Sequence, residues 1–223
     1  VQLDSEHPHL AVADSPTRRV GSDLTNAFPE VEHTWPMLSL DKAYTLDGLL
    51  TWLRRVEGAV RRDFRVSVEE KLDGVSIVLN YNSGVLQRAV TRGNGRIGNE
   101  VTDNVRTIQD VPLRLNSPLS ASVRGEIFLS RSDFQRINKT MDPPFANPRN
   151  LAAGTLRRVK SADVARIPLR FFAYEAVGED LPDSHGALLE VLADAGLPVN
   201  PSTTSFSGSG GAEAALSSLV EQA

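Results

Sequence analysis

The chain has 223 residues, 40% of them hydrophobic, with no cysteine and four histidines. That is ample apolar mass for a core, and the lack of cysteine excludes disulfide frameworks and cysteine-based zinc sites within the chain. With 24 basic and 28 acidic residues the net charge is −4, so overall charge gives no reason to expect nucleic acid, although Arg54-Arg55, Arg61-Arg62 and Arg157-Arg158 with Lys160 keep it open locally.

No run approaches the roughly 18 apolar residues of a membrane span, and "VQLDSEHPHL" lacks the apolar block of a signal peptide. The expectation is a soluble, cytoplasmic protein. Residues 1–35 are polar and proline-punctuated and read as an extended lead-in. In "TLDGLLTWLRRVEGAV" the residues Leu46, Leu49, Leu50, Leu53, Val56 and Val60 form one stripe at helical spacing, with Thr45 as N-cap. Residues 66–71 and 75–81 read as strands, and Asn82-Ser83-Gly84 turns the second into another over 85–92. Val101, Val105 and Ile108 give a short helical segment, and residues 122–129 a further strand. Ser130 and Asp133 cap the helix of "RSDFQRINKTM", and Asn147-Pro148 starts that of "RNLAAGTLRR". A strand in "IPLRFFAYEAV" and a helix in "HGALLEVLADAGLPV" follow, the helix closed by Gly196. Residues 205–211 read as a Ser/Gly-rich loop and 212–223 as a final helix. The mixture predicts an α+β fold with antiparallel sheets flanked by helices.

Gly93, Gly95 and Gly98 in "GNGRIG" satisfy the letter pattern G-x-G-x-x-G of a dinucleotide-binding loop. That fingerprint needs the first strand of a parallel βαβ unit and a helix N-terminus for the pyrophosphate. Here the preceding strand is the second arm of a hairpin, so the stretch reads as a surface turn or as a loop closing on some other ligand beside Arg92.

In "SVEEKLDGVSIV", Lys71 sits between Glu69-Glu70 and Asp73-Gly74. An ordinary lysine has a pKa of about 10.4, so roughly one molecule in two thousand offers the free amine at neutral pH. Nucleophilic use requires desolvation, a neighbouring cation or concerted proton removal, whereas adjacent carboxylates stabilise the ammonium. If a strand runs through 66–71, Glu69 and Lys71 share one face and Glu70 points to the other. From these residues alone, a surface ion pair and a nucleophile with acids serving a ligand both remain open.

"KLDG" resembles the K-x-D-G nucleotidyl-acceptor motif of DNA ligases and mRNA capping enzymes. Together with "HTWPMLSLDKAY", "TRGNGRIGNEVTDNVRTI", "VRGEIFL", "FANPRNLAAGTLR" and "FFAY", in this order, it resembles the NAD-dependent bacterial DNA ligases more than their ATP-dependent relatives. The resemblance implies a nucleotidyltransferase (ATP-grasp-like) fold, with residues 1–35 leading in from a nicotinamide mononucleotide-binding domain and 36–223 forming the adenylation domain. It implies Lys71 as the nucleophile that takes AMP from NAD, with Asp73 ordering the motif. Glu69 would recognise adenine, Tyr174 stack on it, Glu126 bind ribose, Ser39 and Leu40 line the nucleotide site and Arg92 contact the nucleotide. Arg149 and Arg157 would meet phosphates of the nicotinamide nucleotide or of nicked duplex DNA. Eight residues apart on a helix, they differ by about 80° and can converge on one side.

Mg2+ or Mn2+ is implied as an accompanying ion with no protein ligand assigned, and zinc only in a domain outside this chain. A monomer is expected. Rival readings are an ATP-dependent ligase or capping-type nucleotidyltransferase, and a noncatalytic nucleotide- or DNA-binding module. Two acids of the family's glycine loop are replaced, by Asn94 and Asn99. The family's downstream D-G-x-V-x-K strand and further lysine do not occur before Ala223, so the isolated chain is expected to self-adenylate poorly.

Overall fold

Alternating apolar and polar residues from position 75 onward build the main sheet of the computed structural model, which describes residues 28–38, 41–60, 63–208, 210, 211, 213, 214 and 216. The elements in chain order are β1 (Glu30–Glu32), α1 (Leu46–Val60), β2 (Arg65–Val68), β3 (Val75–Asn82), β4 (Val85–Thr91), β5 (Ile97–Asn99), α2 (Thr102–Val105), β6 (Ala121–Phe128), α3 (Arg131–Asn138), α4 (Pro148–Leu156), α5 (Ser161–Val164), β7 (Arg170–Gly178), α6 (His185–Asp194) and β8 (Thr204–Ser207). They fall into two units, Val1–Met37 with Lys71–Asn200 and Leu38–Glu70 with Pro201–Ala223. Mixed helices and antiparallel sheets are as expected from the sequence.

The first unit holds an antiparallel sheet of order β4-β3-β6-β7. The β3–β4 hairpin turns through Ser83 and Gly84, with φ of 47° and 77°, which is the two-residue turn whose twist suits paired strands. Ile77, Leu79, Val123, Ile127 and Phe171 form one face of the sheet and join Val105, Ile137, Leu151, Leu156, Val164, Leu188 and Leu192 of α2 to α6 in a single apolar cluster. Each such buried side chain contributes roughly 1.5–3 kcal/mol, which holds the helices to this face. Capping follows the sequence closely. Ser130 Oγ accepts the Asp133 N–H at 3.1 Å and Asn147 Oδ1 the Asn150 N–H at 2.8 Å, while Gly196 follows α6 with φ 92°.

Within the expected lead-in, β1 pairs antiparallel with β5. The glycine-rich stretch therefore continues into a short antiparallel strand and not into a βαβ helix, against the dinucleotide-loop pattern. Gly98 is required by contact, since a Cβ there would lie 1.7 Å from the Thr91 carbonyl oxygen.

In the second unit, the Thr45 hydroxyl accepts the Gly48 N–H at 3.1 Å at the start of α1. The six stripe residues are the ones α1 keeps from full exposure, and Leu53 is buried. Two sequence readings are corrected. The strand expected over 66–71 ends at Val68, where its partner runs out at Thr204. Residues 204–207, inside or beside the expected loop, form that partner strand, because ladder hydrogen bonds to β2 outweigh a Ser-rich composition. The final helix expected over 212–223 lies mostly outside the described residues.

Candidate active site

The sheet face turned away from the apolar cluster is polar. Across β3 and β6, Ser76 is paired with Glu126 and Val78 with Arg124. The β6–β7 register shifts between Arg124 and Gly125, which leaves Tyr174 as an extra residue in β7. One extra residue removes a step of the alternation, so Tyr174 and Glu175 both serve this face. Glu175 accepts from Arg124 at 2.7 Å.

Glu126 is 7% exposed. The Gly74 N–H donates to its Oε1 at 3.1 Å and the Ser76 hydroxyl to its Oε2 at 2.7 Å. Burial pushes its carboxyl above the ordinary value, opposed by the Ser76 hydrogen bond, the Lys71 charge, the Gly74 hydrogen bond and the Arg149 charge. Lys71 and Arg149 thus act electrostatically on the same carboxylate. Burial also raises the Tyr174 hydroxyl, which the Glu126 charge raises further.

A raised carboxyl binds its proton more tightly in the folded state. The burial penalty is therefore absent below the unfolded pKa and fully present once pH rises through the folded one. Glu126→Gln is expected to melt at or above the parent temperature at pH 7 to 8, with the difference shrinking toward pH 4. Thermal melts across that range check it, and a loss of Tm that deepens with rising pH would contradict the assignment.

Lys71 and Asp73 are exposed and lie outside any strand, so Lys71 does not share a strand face with Glu69. Glu69 belongs to the second unit and is half-buried just after β2. Ser39 and Leu40 lie outside the described residues. Asp73 accepts from Arg149 at 3.3 Å, with side-chain exposures of 67% and 60%. So open a pair contributes little stability and can be exchanged for a phosphate, which a guanidinium also binds bidentately. Arg157 is exposed at the C-cap of α4, about 12 Å along the axis from Arg149 at 1.5 Å per residue.

The Arg92 backbone N–H donates to the Ser76 carbonyl at 3.1 Å, which anchors that arginine beside the polar face. His33, which the sequence reading did not single out, places Nε2 at 3.1 and 3.2 Å from the Thr91 and Arg92 carbonyl oxygens. Donation to them fixes the proton on that nitrogen. Its signal was the motif "HTWPM", in which the Met37 N–H also donates to the Gly95 carbonyl at 2.8 Å. Asn94 Oδ1 accepts the Arg96 and Ile97 N–H groups at 2.9 and 2.8 Å, a role an aspartate oxygen would fill equally. Asn99 Nδ2 instead donates to the Phe28 carbonyl at 3.4 Å, which a carboxylate cannot do.

A groove of about 380 Å³ on the same sheet face, lined by His33, Trp35, Asn80, Arg88 and Arg124 among others, includes none of the candidate residues. Among the described residues no group of three or more His, Cys, Asp or Glu could hold a metal ion, and no helix is long and apolar enough to cross a membrane.

The family model of the NAD-dependent DNA ligase adenylation domain matches residues 25–222. A DNA ligase of Borrelia hermsii (strain HS1 / DAH) is 46% identical over 211 residues, covering 92% of this chain and 31% of that protein. One from Borreliella afzelii (strain PKo) is 46% identical over 201 residues, covering 90% of this chain and 30% of that protein. The chain thus spans less than a third of the length of these curated relatives.

Proposed function

The chain belongs to the NAD-dependent DNA ligase adenylation-domain family, and we propose that within a longer protein it carries out the nucleotide transfers that seal nicks in duplex DNA. The observation that carries this reading is Glu126, a buried carboxylate held by Gly74 and Ser76 and sensing the Lys71 charge. That arrangement joins the glycine of Lys-x-Asp-Gly to a buried acid 52 residues away in sequence, which on this reading binds the ribose.

In the proposed reaction Lys71 Nζ attacks the α-phosphorus of NAD. A P–N bond forms as the P–O bond to nicotinamide mononucleotide breaks, the mononucleotide leaves with the bridging oxygen, and the amine proton passes to solvent. AMP then moves from Lys71 to the 5′-phosphate at the nick, exchanging P–N for P–O–P. The adjacent 3′-hydroxyl attacks that phosphate, and AMP departs as the strand closes. These are phosphoryl transfers, in which positioning and charge neutralisation do most of the catalysis.

Two of the roughly four lone-pair sites of the Glu126 carboxylate are used by Gly74 and Ser76, which leaves two for ribose hydroxyls. Tyr174, half-buried, offers a ring that adenine can stack on. Glu69 would accept from the adenine amine, and Ser39 and Leu40 would line the same nucleotide. Arg92 contacts the nucleotide, while Arg149 trades Asp73 for phosphate and Arg157 takes a further phosphate. No described cluster fits a protein-held metal, and no step above depends on one; Mg2+ or Mn2+ would arrive on the nucleotide phosphates, which is how Mg2+ commonly binds. We assign the fold to the nucleotidyltransferases and the site of action to the bacterial cytoplasm, as a monomer on nicked DNA.

Intact-mass measurement tests the reading. The full-length protein is expected to gain a single adenylate on Lys71 from NAD and none from ATP. Labelling from ATP, or on another residue, overturns it.

A further inference from the structure

We infer that Asn104 is a positioning residue for Arg157, an inference that rests on the proposed phosphate role of that arginine. Asn104 lies in α2 and is 3% exposed. Its Nδ2 donates at 2.8 Å to the Leu156 carbonyl and at 2.8 Å to the Arg158 carbonyl. Those two groups flank Arg157 in the chain, where α4 ends and the last carbonyls of a helix have no intrahelical donor. A single amide nitrogen thus holds the backbone on both sides of one arginine.

The clamp is itself fixed. The Asn104 carbonyl accepts the Thr107 N–H at 3.1 Å and its hydroxyl at 2.7 Å. The neighbouring arginine is committed elsewhere, since Arg158 donates its own N–H to Thr155 O at 3.0 Å and a guanidinium N–H to Asp163 O at 3.2 Å. The Arg157 side chain has no such commitment among the described residues. It is exposed, and among the described residues its guanidinium takes part in none of the ion pairs formed by Arg106, Arg124, Arg136, Arg149, Arg166 and Arg170. A free guanidinium on a backbone held at both flanking carbonyls is preorganised for an incoming phosphate, because less freedom is lost on binding.

Only a primary amide supplies two neutral N–H donors from one nitrogen. Aspartate, of nearly the same shape, supplies none and would turn a carboxylate toward two carbonyl oxygens. The phosphate in question belongs to the nicotinamide nucleotide or to DNA, and the two sources are separated by measuring KM for NAD in the adenylation step and Kd for a nicked duplex.

In the full-length protein Arg157→Ala is expected to weaken one of these arms about tenfold, as loss of a charge-assisted contact does. Asn104→Asp and Asn104→Ala should weaken that same arm about three- to tenfold and leave the other within about twofold. Each double variant with Arg157→Ala should be no weaker than Arg157→Ala alone, the sign of residues acting as one unit. A folded Asn104 variant that moves neither arm, or a double variant that multiplies the two losses, overturns the clamp and leaves the reading of Arg157 standing. If Arg157→Ala moves neither arm, both fall. A second measurement uses the unaltered protein: the Asn104 side-chain amide protons should exchange slowly with solvent, and rapid exchange overturns the clamp without any variant having to fold.

Discussion

Lys71→Arg is expected to abolish transfer of AMP to the protein while nucleotide binding stays within a few-fold of the parent. Arginine keeps the positive charge but does not give up its proton at any working pH, so the substitution separates charge from nucleophilicity. Glu126 senses the charge of Lys71, and an arginine preserves that field. If Lys71 only neutralised phosphate, Lys71→Arg would retain activity. As the nucleophile, its loss should lower nick sealing from NAD by about 10³-fold or more, the scale seen when a covalent catalyst is removed. Because the amine forms bonds only until AMP has reached the DNA, the same variant supplied with DNA already carrying a 5′-adenylate should still close the strand. An AMP adduct on the variant, or equal loss on both substrates, would refute the assignment.

How far the fold was readable depended on whether its cause was local. The α1 stripe was visible because a period of 3.6 separates Leu46, Leu49, Leu50, Leu53, Val56 and Val60 from every exposed neighbour. The hairpin was visible because Asn82-Ser83-Gly84 admits the positive φ values of its turn. Strand β8 was not, since its partner β2 lies about 136 residues away and its own Ser-rich composition suggests a loop. The end of β2 at Val68 was hidden for the same reason, and the inference that Glu69 and Lys71 share a face fails with it.

Within the site, residue types pointed to Lys71, Asp73, Glu126 and Tyr174 through resemblance. The link between them did not show, because it depends on register. Ser76 meets Glu126 only through the pairing of β3 with β6, and Tyr174 serves the same face only because β7 carries an extra residue at that point. Asn104 was not singled out by the sequence. Its two acceptors, 52 and 54 residues further on, are supplied by the fold.

Gly74→Ala should disrupt both the first unit and the candidate site. Gly74 is buried, and a Cβ there would lie 2.2 Å from the Ile127 carbonyl oxygen, 2.9 Å from its carbon and 3.0 Å from Glu126 Cγ. The obstacle is backbone of the neighbouring strand, which cannot rotate away as a side-chain tip can. Relief requires β3 to part from β6 at the Val75 and Ile127 pair, where the Gly74 N–H also holds Glu126 Oε1. Overpacking of this kind costs about 1–3 kcal/mol, and a shift near 1 Å in a positioned group can cost about 10²-fold in rate. Lys71 lies three residues upstream, so the same shift moves the proposed nucleophile against the acid that would hold the ribose. Gly186→Ala is the matched control, because nothing lies within 4 Å of the added carbon. Single-turnover adenylation from NAD should fall about 100-fold or more in Gly74→Ala and stay near the parent in Gly186→Ala, with Tm lowered only in the former. A parental rate and Tm in Gly74→Ala would show that β3 and β6 yield there without cost, and the coupling of Glu126 to the Lys-x-Asp-Gly segment would lose its basis.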